Sequence, residues 1–348
     1  MRRVARTYGP EEIRRAIGQV PRRRFAFLPT PLEACPRLSE QLGVRLWLKR
    51  DDQTGLAFGG NKTRNLEFRL AEALAAGADT LVFGVEVTSN SARQTTAAAN
   101  KLGLRTVLFL RGDPPAGGPQ GNLLLDLLLG AEVHFFHGDD AEMARAMAAR
   151  ADELRREGRR PFDINAAPMF AVASSLAYVE SLLETREQMQ AAGAFPQHVY
   201  MTSGSKGQAG LVLGRALLGE RDRYRVVGVA VSKPDEDRRS AVAAIAQAAA
   251  ARIGLEAQVG PEDVESERGF VGAGYGVPTP EGMAAIRLLA ATEGVFLDPV
   301  YTGKGMAALL ADVRSGRVAP GSDVVFVHTG GTPALFSFAA QLAAPVSQ

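Results

Sequence analysis

The sequence predicts an α/β fold with two domains, both with largely parallel sheets flanked by helices. Apolar runs of strand length alternate with longer segments of helical periodicity, which is typical of parallel strands joined by right-handed crossovers. The length of 348 residues is sufficient for two domains. Hydrophobic residues make up 46% of the chain and charged residues 22%, which excludes a disordered protein.

Six apolar runs are strand candidates, and helical patterns lie between them. The strands are predicted at residues 80–85, 106–110, 132–136, 198–202, 226–231 and 324–328. The helices are predicted at residues 66–76, 91–102, 122–129, 141–157, 209–218, 239–253 and 280–292, with a short one at residues 11–20. The first three strands form one block and the later strands form another, so two sheets are expected.

Charge and cysteine content exclude several kinds of function. The chain carries 40 Lys and Arg against 38 Asp and Glu, so it lacks the basic surface that nucleic-acid binding requires. Cys35 is the only cysteine, which excludes an internal disulfide and fits a reducing compartment. No 18 consecutive residues are apolar and no secretory signal is evident, so we expect a cytoplasmic protein without a membrane partner. His134 and His137 would face opposite sides of a strand, and no metal site is predicted.

In open parallel sheets, ligands bind at the loops that follow the carboxyl ends of the strands. One such turn joins a predicted strand to the helix that opens at residue 209. Its glycines allow backbone N–H groups to converge, and a helix N-terminus favours an anion, so the turn is a candidate phosphate site. Plain strand-to-helix connections have the same composition. The candidate residues are Ser203, Gly204, Ser205, Lys206 and Gly207.

A reactive lysine has few candidates, because the chain contains only six lysines. Lys62 directly precedes a predicted helix, whose N-terminus disfavours positive charge and would lower the pKa of the amine. A neutral amine is what a nucleophilic or Schiff-base lysine needs, although a solvated surface lysine fits the same position. A Schiff-base lysine together with a separate phosphate site suggests pyridoxal phosphate as cofactor.

Several motifs make this suggestion specific. In chain order they are LPTPLE (28–33), KRDD (49–52), GLAFGGNKTR (55–64), SN (89–90), RQ (93–94), YGVP (275–278), LDPVYTGK (297–304) and HTGG (328–331). The set resembles the D-cysteine desulfhydrase and 1-aminocyclopropane-1-carboxylate deaminase family over residues 28–340. The resemblance implies a tryptophan-synthase-β-like fold (fold type II), bound pyridoxal 5′-phosphate (PLP) and a homodimer. It implies a larger, PLP-binding domain of residues 1–64 and 170–348 and a smaller domain of residues 65–169.

The resemblance also implies which residues hold the cofactor. Lys62 would bond to the cofactor's aldehyde and later move the substrate's proton. Asn90 matches the residue that hydrogen-bonds the ring hydroxyl, and residues 203–207 would hold the phosphate. Thr329 would face the pyridine nitrogen. A hydroxyl cannot stabilise a protonated pyridinium as a carboxylate can, so the cofactor would be a milder electron sink that suits β-elimination.

For the substrate, Ser89 matches a serine that contacts the carboxylate or relays a proton. Tyr275 and Tyr301 match the paired active-site tyrosines of the family, although buried core aromatics would look the same in sequence. Asp298 is expected to be a structural turn residue. Thr302 favours the desulfhydrase branch, because the deaminase branch has a glutamate at this position.

Some positions depart from the family pattern. The turn at residues 203–207 is one residue shorter than usual, and Lys206 could contact the phosphate as a point charge. Thr88 and Ser91 replace a glutamine and a histidine or glutamine beside the expected carboxylate site, which predicts an altered substrate pocket.

The leading hypothesis is therefore a PLP-dependent lyase that converts a small amino acid resembling D-cysteine to pyruvate, ammonia and sulfide. The alternatives are β-replacement in a specialised pathway, opening of the 1-aminocyclopropane-1-carboxylate ring, and a non-catalytic PLP-binding protein.

Overall fold

The computed structural model of the protein describes residues 6–114, 117–202, 205–232 and 238–343. Its strands are β1 (Leu32–Ala34), β2 (Arg45–Lys49), β3 (Thr80–Glu86), β4 (Arg105–Arg111), β5 (Glu132–Phe136), β6 (Pro161–Asp163), β7 (His198–Thr202), β8 (Arg225–Val229), β9 (Glu265–Glu267) and β10 (Asp323–Val327). Its helices are α1 (Pro10–Gly18), α2 (Pro36–Leu42), α3 (Lys62–Ala75), α4 (Asn90–Lys101), α5 (Gly121–Leu128), α6 (Asp140–Arg156), α7 (Met169–Ala191), α8 (Lys206–Leu217), α9 (Arg238–Arg252), α10 (Pro280–Glu293), α11 (Thr302–Arg314), α12 (Ala334–Ser337) and α13 (Ala339–Ala343).

The chain divides into two compact units. The larger unit comprises Met1–Val20, Phe27–Gln53 and Ala171–Thr332, and the smaller unit comprises Pro21–Ala26, Thr54–Phe170 and Pro333–Gln348. These bounds differ from those of the predicted domains, which were residues 1–64 with 170–348 and residues 65–169. Residues 54–64 lie in the smaller unit, where the Thr54 hydroxyl donates to the carbonyl of Gly60 at 2.8 Å and lies 3.1 Å from the hydroxyl of Thr63 in α3, which ties this loop to the helix. Helix α12, near the C-terminal end of the chain, belongs there because it packs against α5.

The larger unit contains a six-stranded sheet, counted over its described residues, in the order β1-β2-β10-β7-β8-β9. Neighbours pair in parallel except β1 with β2. The central strands β7 and β10 are buried along their whole length, as expected for strands of a parallel sheet covered on both faces. They pair in register from Val324 opposite His198 to Val327 opposite Met201. The loops that follow β7 and β10 therefore leave the sheet side by side.

The smaller unit contains a parallel sheet in the order β5-β4-β3-β6. On one face, Leu66 and Leu70 of α3 share a buried cluster with Phe83 of β3. On the other face, α6 lies so close to β3 that a Cβ atom at Gly84 would approach the sulfur atoms of two methionines to 2.6 Å. Helices on both faces explain why the strands of this unit read as continuous apolar runs.

The predicted strands and helices are all present in the described chain, with their ends shifted by a few residues, and the α/β fold is confirmed. The long helix α7 was not predicted. It is buried on almost every side, so it lacks the polar face that makes helical periodicity visible in a sequence. Helix α11 was also missed, because its first turn contains Gly303 and Gly305, which lower helix propensity.

Within the ranges given above, no helix has both the length and the apolar character needed to cross a membrane. The same ranges contain no group of three or more His, Cys, Asp or Glu side chains that could hold a metal ion.

Candidate active site

Lys62 is the first residue of α3, in the smaller unit. The loop before it is tightly wound, and residues 57–60 all have positive φ. Gly60 is required there because its φ is +124° and a Cβ atom would lie 2.6 Å from the amide nitrogen of Gln94. Burial, and to a smaller extent the positive charge of Arg69, lowers the pKa of Lys62 to about 8. Much of this amine is therefore neutral in mildly basic solution, as a nucleophilic lysine requires.

Ser89 and Asn90 lie at the start of α4, close to the start of α3. The Ser89 hydroxyl caps α4 by accepting a hydrogen bond from the N–H of Ser91 at 3.1 Å. Gln94 joins the two helices. Its Oε1 accepts from the N–H and the hydroxyl of Thr63, both at 2.9 Å, and its Nε2 donates to the carbonyl of Asn90 at 3.3 Å. The smaller unit thus brings the predicted residues of α3 and α4 to adjacent helix N-termini.

Three further polar side chains of the smaller unit are buried: Arg93, which belongs to the RQ motif but was given no role from sequence, and Asn122 and Asp126, which were not predicted. The Arg93 guanidinium donates to Asn122 Oδ1 at 2.9 Å and to the carbonyl of Gly59 at 3.3 Å. Asp126 is fully buried, and neither of its carboxylate oxygens has a hydrogen-bond partner among the described residues. The available signal was their spacing, because Asn122 and Asp126 are four residues apart and share one face of a leucine-rich helix.

We expect Asp126 to make the free energy of unfolding depend on pH. Burial raises the pKa of Asp126 to about 8, and the positive charge of Arg93 acts in the opposite direction. An unfolded aspartate titrates near pH ~3.9, so the folded protein keeps a proton that the unfolded chain releases between these values. Stability should therefore fall as pH rises from about 4 to about 8. Asp126→Asn should remove this fall, which urea unfolding at several pH values would measure.

Asp140→Asn is the matched control, because the Asp140 carboxylate is 95% exposed. It should leave the pH profile of stability unchanged. If Asp126→Asn and wild type lose stability in parallel between about pH 4 and 8, the buried carboxyl is not the cause.

The predicted phosphate loop follows β7 in the larger unit. Ser203 and Gly204 lie outside the described residues. Ser205 has a φ of +138°, which L-residues rarely adopt, and Lys206 is the partly buried first residue of α8. A Cβ atom at Gly207 would lie 2.4 Å from a methionine methyl group of β7, so α8 begins tightly against the strand. This is the strand-to-helix geometry that anion sites use, and the phosphate contact itself stays a prediction.

Thr329 is buried and lies just beyond β10, at the same sheet edge as the predicted phosphate loop. The preceding residue, His328, holds this turn. Its Nε2 lies 2.9 Å from the carbonyl of Phe296, and its Nδ1 accepts from the N–H of Gly330 at 3.3 Å. A carbonyl can only accept and an amide N–H can only donate, so Nε2 is the donor atom of the ring in this turn and Nδ1 is the acceptor. His328, the last residue of the strand predicted at residues 324–328, thus positions the turn that carries Thr329.

Tyr275 and Tyr301 form a pair in the larger unit. Their hydroxyl groups are hydrogen-bonded to each other, and their rings meet edge to face with centroids 5.8 Å apart. Both side chains are only partly buried, unlike those of core aromatics. The structure thus brings together the two tyrosines that the sequence resemblance pairs.

Asp298 is the structural turn residue that the sequence predicts. Its Oδ2 accepts from the N–H groups of Val300 and Tyr301 at 2.9 and 2.8 Å, and its Oδ1 accepts from the N–H and hydroxyl of Thr302 at 2.9 and 2.7 Å. Burial raises the pKa of Asp298, while these hydrogen bonds act in the opposite direction. The carboxylate organises the first turn of α11 and fixes the backbone of Tyr301, and the fully buried Thr302 is part of the same turn.

Comparison with known proteins assigns the chain to a family. A family model described as "Pyridoxal-phosphate dependent enzyme" matches residues 24–330. The chain belongs to this family. As a pyridoxal-phosphate dependent enzyme it has PLP as its cofactor, in agreement with the sequence prediction.

Two relatives and two solved structures refine the comparison. The chain is 41% identical over 329 residues to a D-cysteine desulfhydrase of Klebsiella pneumoniae (strain 342) and 39% identical over 331 residues to one of Salmonella typhimurium, covering 92% of this chain and 97% of each relative. A crystal structure of an "ACC deaminase homologue" matches with a TM-score of 0.84 and 35% identity, over 95% of this chain and 98% of that one. Diaminopropionate ammonia lyase of Escherichia coli, with a TM-score of 0.67 and 17% identity, shares the fold. These findings confirm the predicted resemblance, and the protein is a PLP-dependent lyase of the β-elimination type.

Each of the two units, taken by itself, holds residues of the kinds that this cofactor needs. PLP needs a lysine amine, a nest for its phosphate and a partner for its ring nitrogen. The smaller unit offers Lys62, an amine of lowered pKa, and Asn90 beside it. The larger unit offers the start of α8 and the buried Thr329 at one sheet edge.

Proposed function

We propose that this enzyme acts on D-cysteine, with water as co-substrate, and releases pyruvate, ammonia and hydrogen sulfide. The observation that carries the proposal is the identity with D-cysteine desulfhydrases over nearly their whole length. The residue set described above agrees with it, because each group that a β-elimination requires has a candidate: an amine base, a proton donor for the sulfur, and a contact for the carboxylate.

When bound, PLP withdraws electrons from the Cα atom of the amino acid and so makes its proton removable. We assign Lys62 Nζ to accept this proton. Since the pKa of Lys62 is lowered to about 8, its amine is available in the neutral form that can accept a proton near that pH.

The departing sulfur takes up a proton, and we assign the tyrosine pair as the donor of this proton. In a hydrogen-bonded pair of hydroxyls, the accepting hydroxyl becomes the better donor of its own proton. Tyr275 and Tyr301 are paired in this way. Ser89 is assigned to the substrate carboxylate, because its oxygen already accepts from a backbone N–H and its own hydrogen is directed elsewhere.

The first test is an absorbance spectrum of the purified protein before and after addition of D-cysteine. We expect a visible cofactor band that shifts on addition, together with pyruvate and sulfide in equal amounts. L-cysteine and 1-aminocyclopropane-1-carboxylate serve as parallel substrates. A band that D-cysteine leaves unchanged would exclude this substrate.

The second candidate, ring opening of 1-aminocyclopropane-1-carboxylate, is favoured by the similarity to the ACC deaminase homologue. It would give 2-oxobutanoate and ammonia from that compound. β-Replacement would appear as loss of pyruvate and formation of a new amino acid when a nucleophile is added with D-cysteine.

Lys304 is expected to support catalysis through the loop that carries Tyr275. Its Nζ is buried and donates to the carbonyls of Val271 and Gly274 at 2.8 and 3.1 Å. Lys304→Met should release this loop and lower turnover about tenfold or more, because small displacements of a catalytic group are costly. Steady-state kinetics would measure the effect. Lys101→Met, at an exposed position, should have no effect on turnover, and an unchanged rate for Lys304→Met would disprove the anchoring role.

We also propose that the protein is cytoplasmic and forms a homodimer. The single cysteine, which is buried, supports a reducing compartment, and the homodimer is proposed from the family resemblance. Light scattering after size-exclusion chromatography would test the homodimer, and fractionation of cells would test the location.

A further inference from the structure

A buried hydrogen-bond network surrounds the side chain of Asn90 in the smaller unit. Its other members are Arg93, Asn122 and the backbone carbonyl of Thr88. The exposed fractions of Asn90, Arg93 and Asn122 are 8%, 0% and 3%, so bulk water hardly competes for these hydrogen bonds. The direction of each bond follows from which atoms can donate and which can accept.

Arg93 sets the orientation of Asn122. A guanidinium can only donate, and Arg93 Nε lies 2.9 Å from the amide of Asn122. The amide oxygen Oδ1 must therefore face Arg93, which turns the amide nitrogen Nδ2 to the opposite side. The contact of Nδ2 confirms this orientation of the Asn122 amide independently, because Nδ2 lies 2.9 Å from the carbonyl of Thr88, which can only accept.

Asn122 in turn sets the orientation of Asn90. The second hydrogen of Asn122 Nδ2 points to Asn90 Oδ1 at 3.0 Å, and Arg93 donates to the same oxygen at 3.4 Å. The Oδ1 of Asn90 is thus occupied by two donors. Its Nδ2 is left as the outward-facing atom and makes no hydrogen bond with any residue that the structure describes. Asn90 can present only a donor to a ligand.

We propose that Asn122 and Arg93 are positioning residues that lock Asn90 as a hydrogen-bond donor to the ring oxygen of PLP. This inference rests on the proposed function in one respect, that the enzyme binds PLP with Asn90 in contact with it; the orientation of Asn90 itself follows from the hydrogen bonds above. A fixed donor stabilises the ionised form of the ring oxygen, as an acceptor cannot. Arg93 also holds the carbonyl of Gly59 in the loop before Lys62, so one side chain orients both the amide of Asn90 and this loop.

Asn122→Asp tests the lock with little change of shape. The new carboxylate can still accept from Arg93, but it cannot donate to Asn90 Oδ1. The amide of Asn90 should then rotate to donate toward the carboxylate and turn its oxygen to the cofactor. The ionised ring oxygen gives bound PLP its visible band, and the neutral form absorbs in the near ultraviolet. We expect the ratio of visible to near-ultraviolet absorbance to fall about tenfold, the effect of losing a hydrogen bond to a charged group.

Asn100→Asp is the matched control. Asn100 lies on the same helix as Asn90, and its Nδ2 donates to the carbonyl of Leu129 at 2.8 Å. The chemical change is the same, and the absorbance ratio should not move. Asn122→Ala removes the donor to Asn90 Oδ1 without adding a charge. The amide of Asn90 can then adopt either orientation instead of being turned round, so we expect the absorbance ratio to fall by only about threefold. The melting temperature of each variant shows whether a change in the absorbance ratio comes from loss of the fold or from a changed orientation of the Asn90 amide.

The outcomes separate the two proposals. If wild type binds no PLP, the proposed function fails. If wild type shows the visible band, and Asn122→Asp and Asn122→Ala bind PLP with the wild-type absorbance ratio, the lock is wrong while the proposed function stands. A lowered melting temperature with an unchanged ratio would make Asn122 a merely structural residue and overturn the inference.

Discussion

Lys62→Ala is expected to lower turnover of the amino-acid substrate by about three orders of magnitude. By the roles proposed above, the variant lacks the amine assigned to bond to the cofactor and to accept the Cα proton, and proton transfer alone contributes on the order of 10²–10⁴-fold. The rate of pyruvate and sulfide formation measures the loss. The visible cofactor band should disappear in the same variant.

Lys101→Ala is the control for this change, because Lys101 is exposed at the end of α4. It should keep both the band and the wild-type rate. Full activity of Lys62→Ala would rule out the assignment of this lysine and with it the proposed route of the Cα proton.

The charged amine of Lys62 should also lower the stability of the folded apoprotein, before the cofactor binds. Because the pKa of Lys62 is lowered from 10.5 to about 8, the folded apoprotein disfavours the charged amine. This cost is present in full below about pH 8 and is relieved as pH rises to the unfolded value. Lys62→Met should therefore raise the melting temperature of the apoprotein at neutral pH while it abolishes turnover. Opposite changes in the two measurements would distinguish loss of chemistry from loss of fold.

Asp298→Ala is expected to lower the free energy of unfolding by about 3 kcal/mol or more. The substitution leaves buried N–H groups of Val300, Tyr301 and Thr302 without acceptors, and each such group costs ~1–3 kcal/mol. Urea unfolding measures the change. Turnover should fall as well, because the carboxylate fixes the backbone of Tyr301.

The free energy of unfolding of Asp298→Asn should lie between those of Asp298→Ala and wild type. The amide oxygen can keep the bonds to Thr302, whereas the amide nitrogen faces two N–H donors. Asp222→Ala, at an exposed position of the same unit, should change stability by less than about 0.5 kcal/mol. Equal stability of Asp298→Ala and Asp222→Ala would show that the turn does not depend on this carboxylate.

The sequence alone predicted six of the parallel strands, because strands buried on both faces have continuous apolar runs, whereas β2, β6 and β9 were not predicted. Through the resemblance it also proposed Lys62, Tyr275 and Tyr301 as site residues, since each of them lies in a short motif, and their catalytic roles stay predictions. Helix α7 remained invisible, because a helix buried on almost every side has no amphipathic period.

The tertiary structure decided how these residues are held. That Arg93, Asn122 and Asn90 form one directed chain of hydrogen bonds depends on bringing α4 and α5 together, and no local pattern encodes such a contact. The same holds for Asp126, whose raised pKa comes from burial by residues distant in sequence. The motifs, through the family resemblance that they carry, determined the cofactor and the class of reaction. Packing decided which amide faces which atom, because hydrogen-bond direction is set by the neighbours that folding supplies.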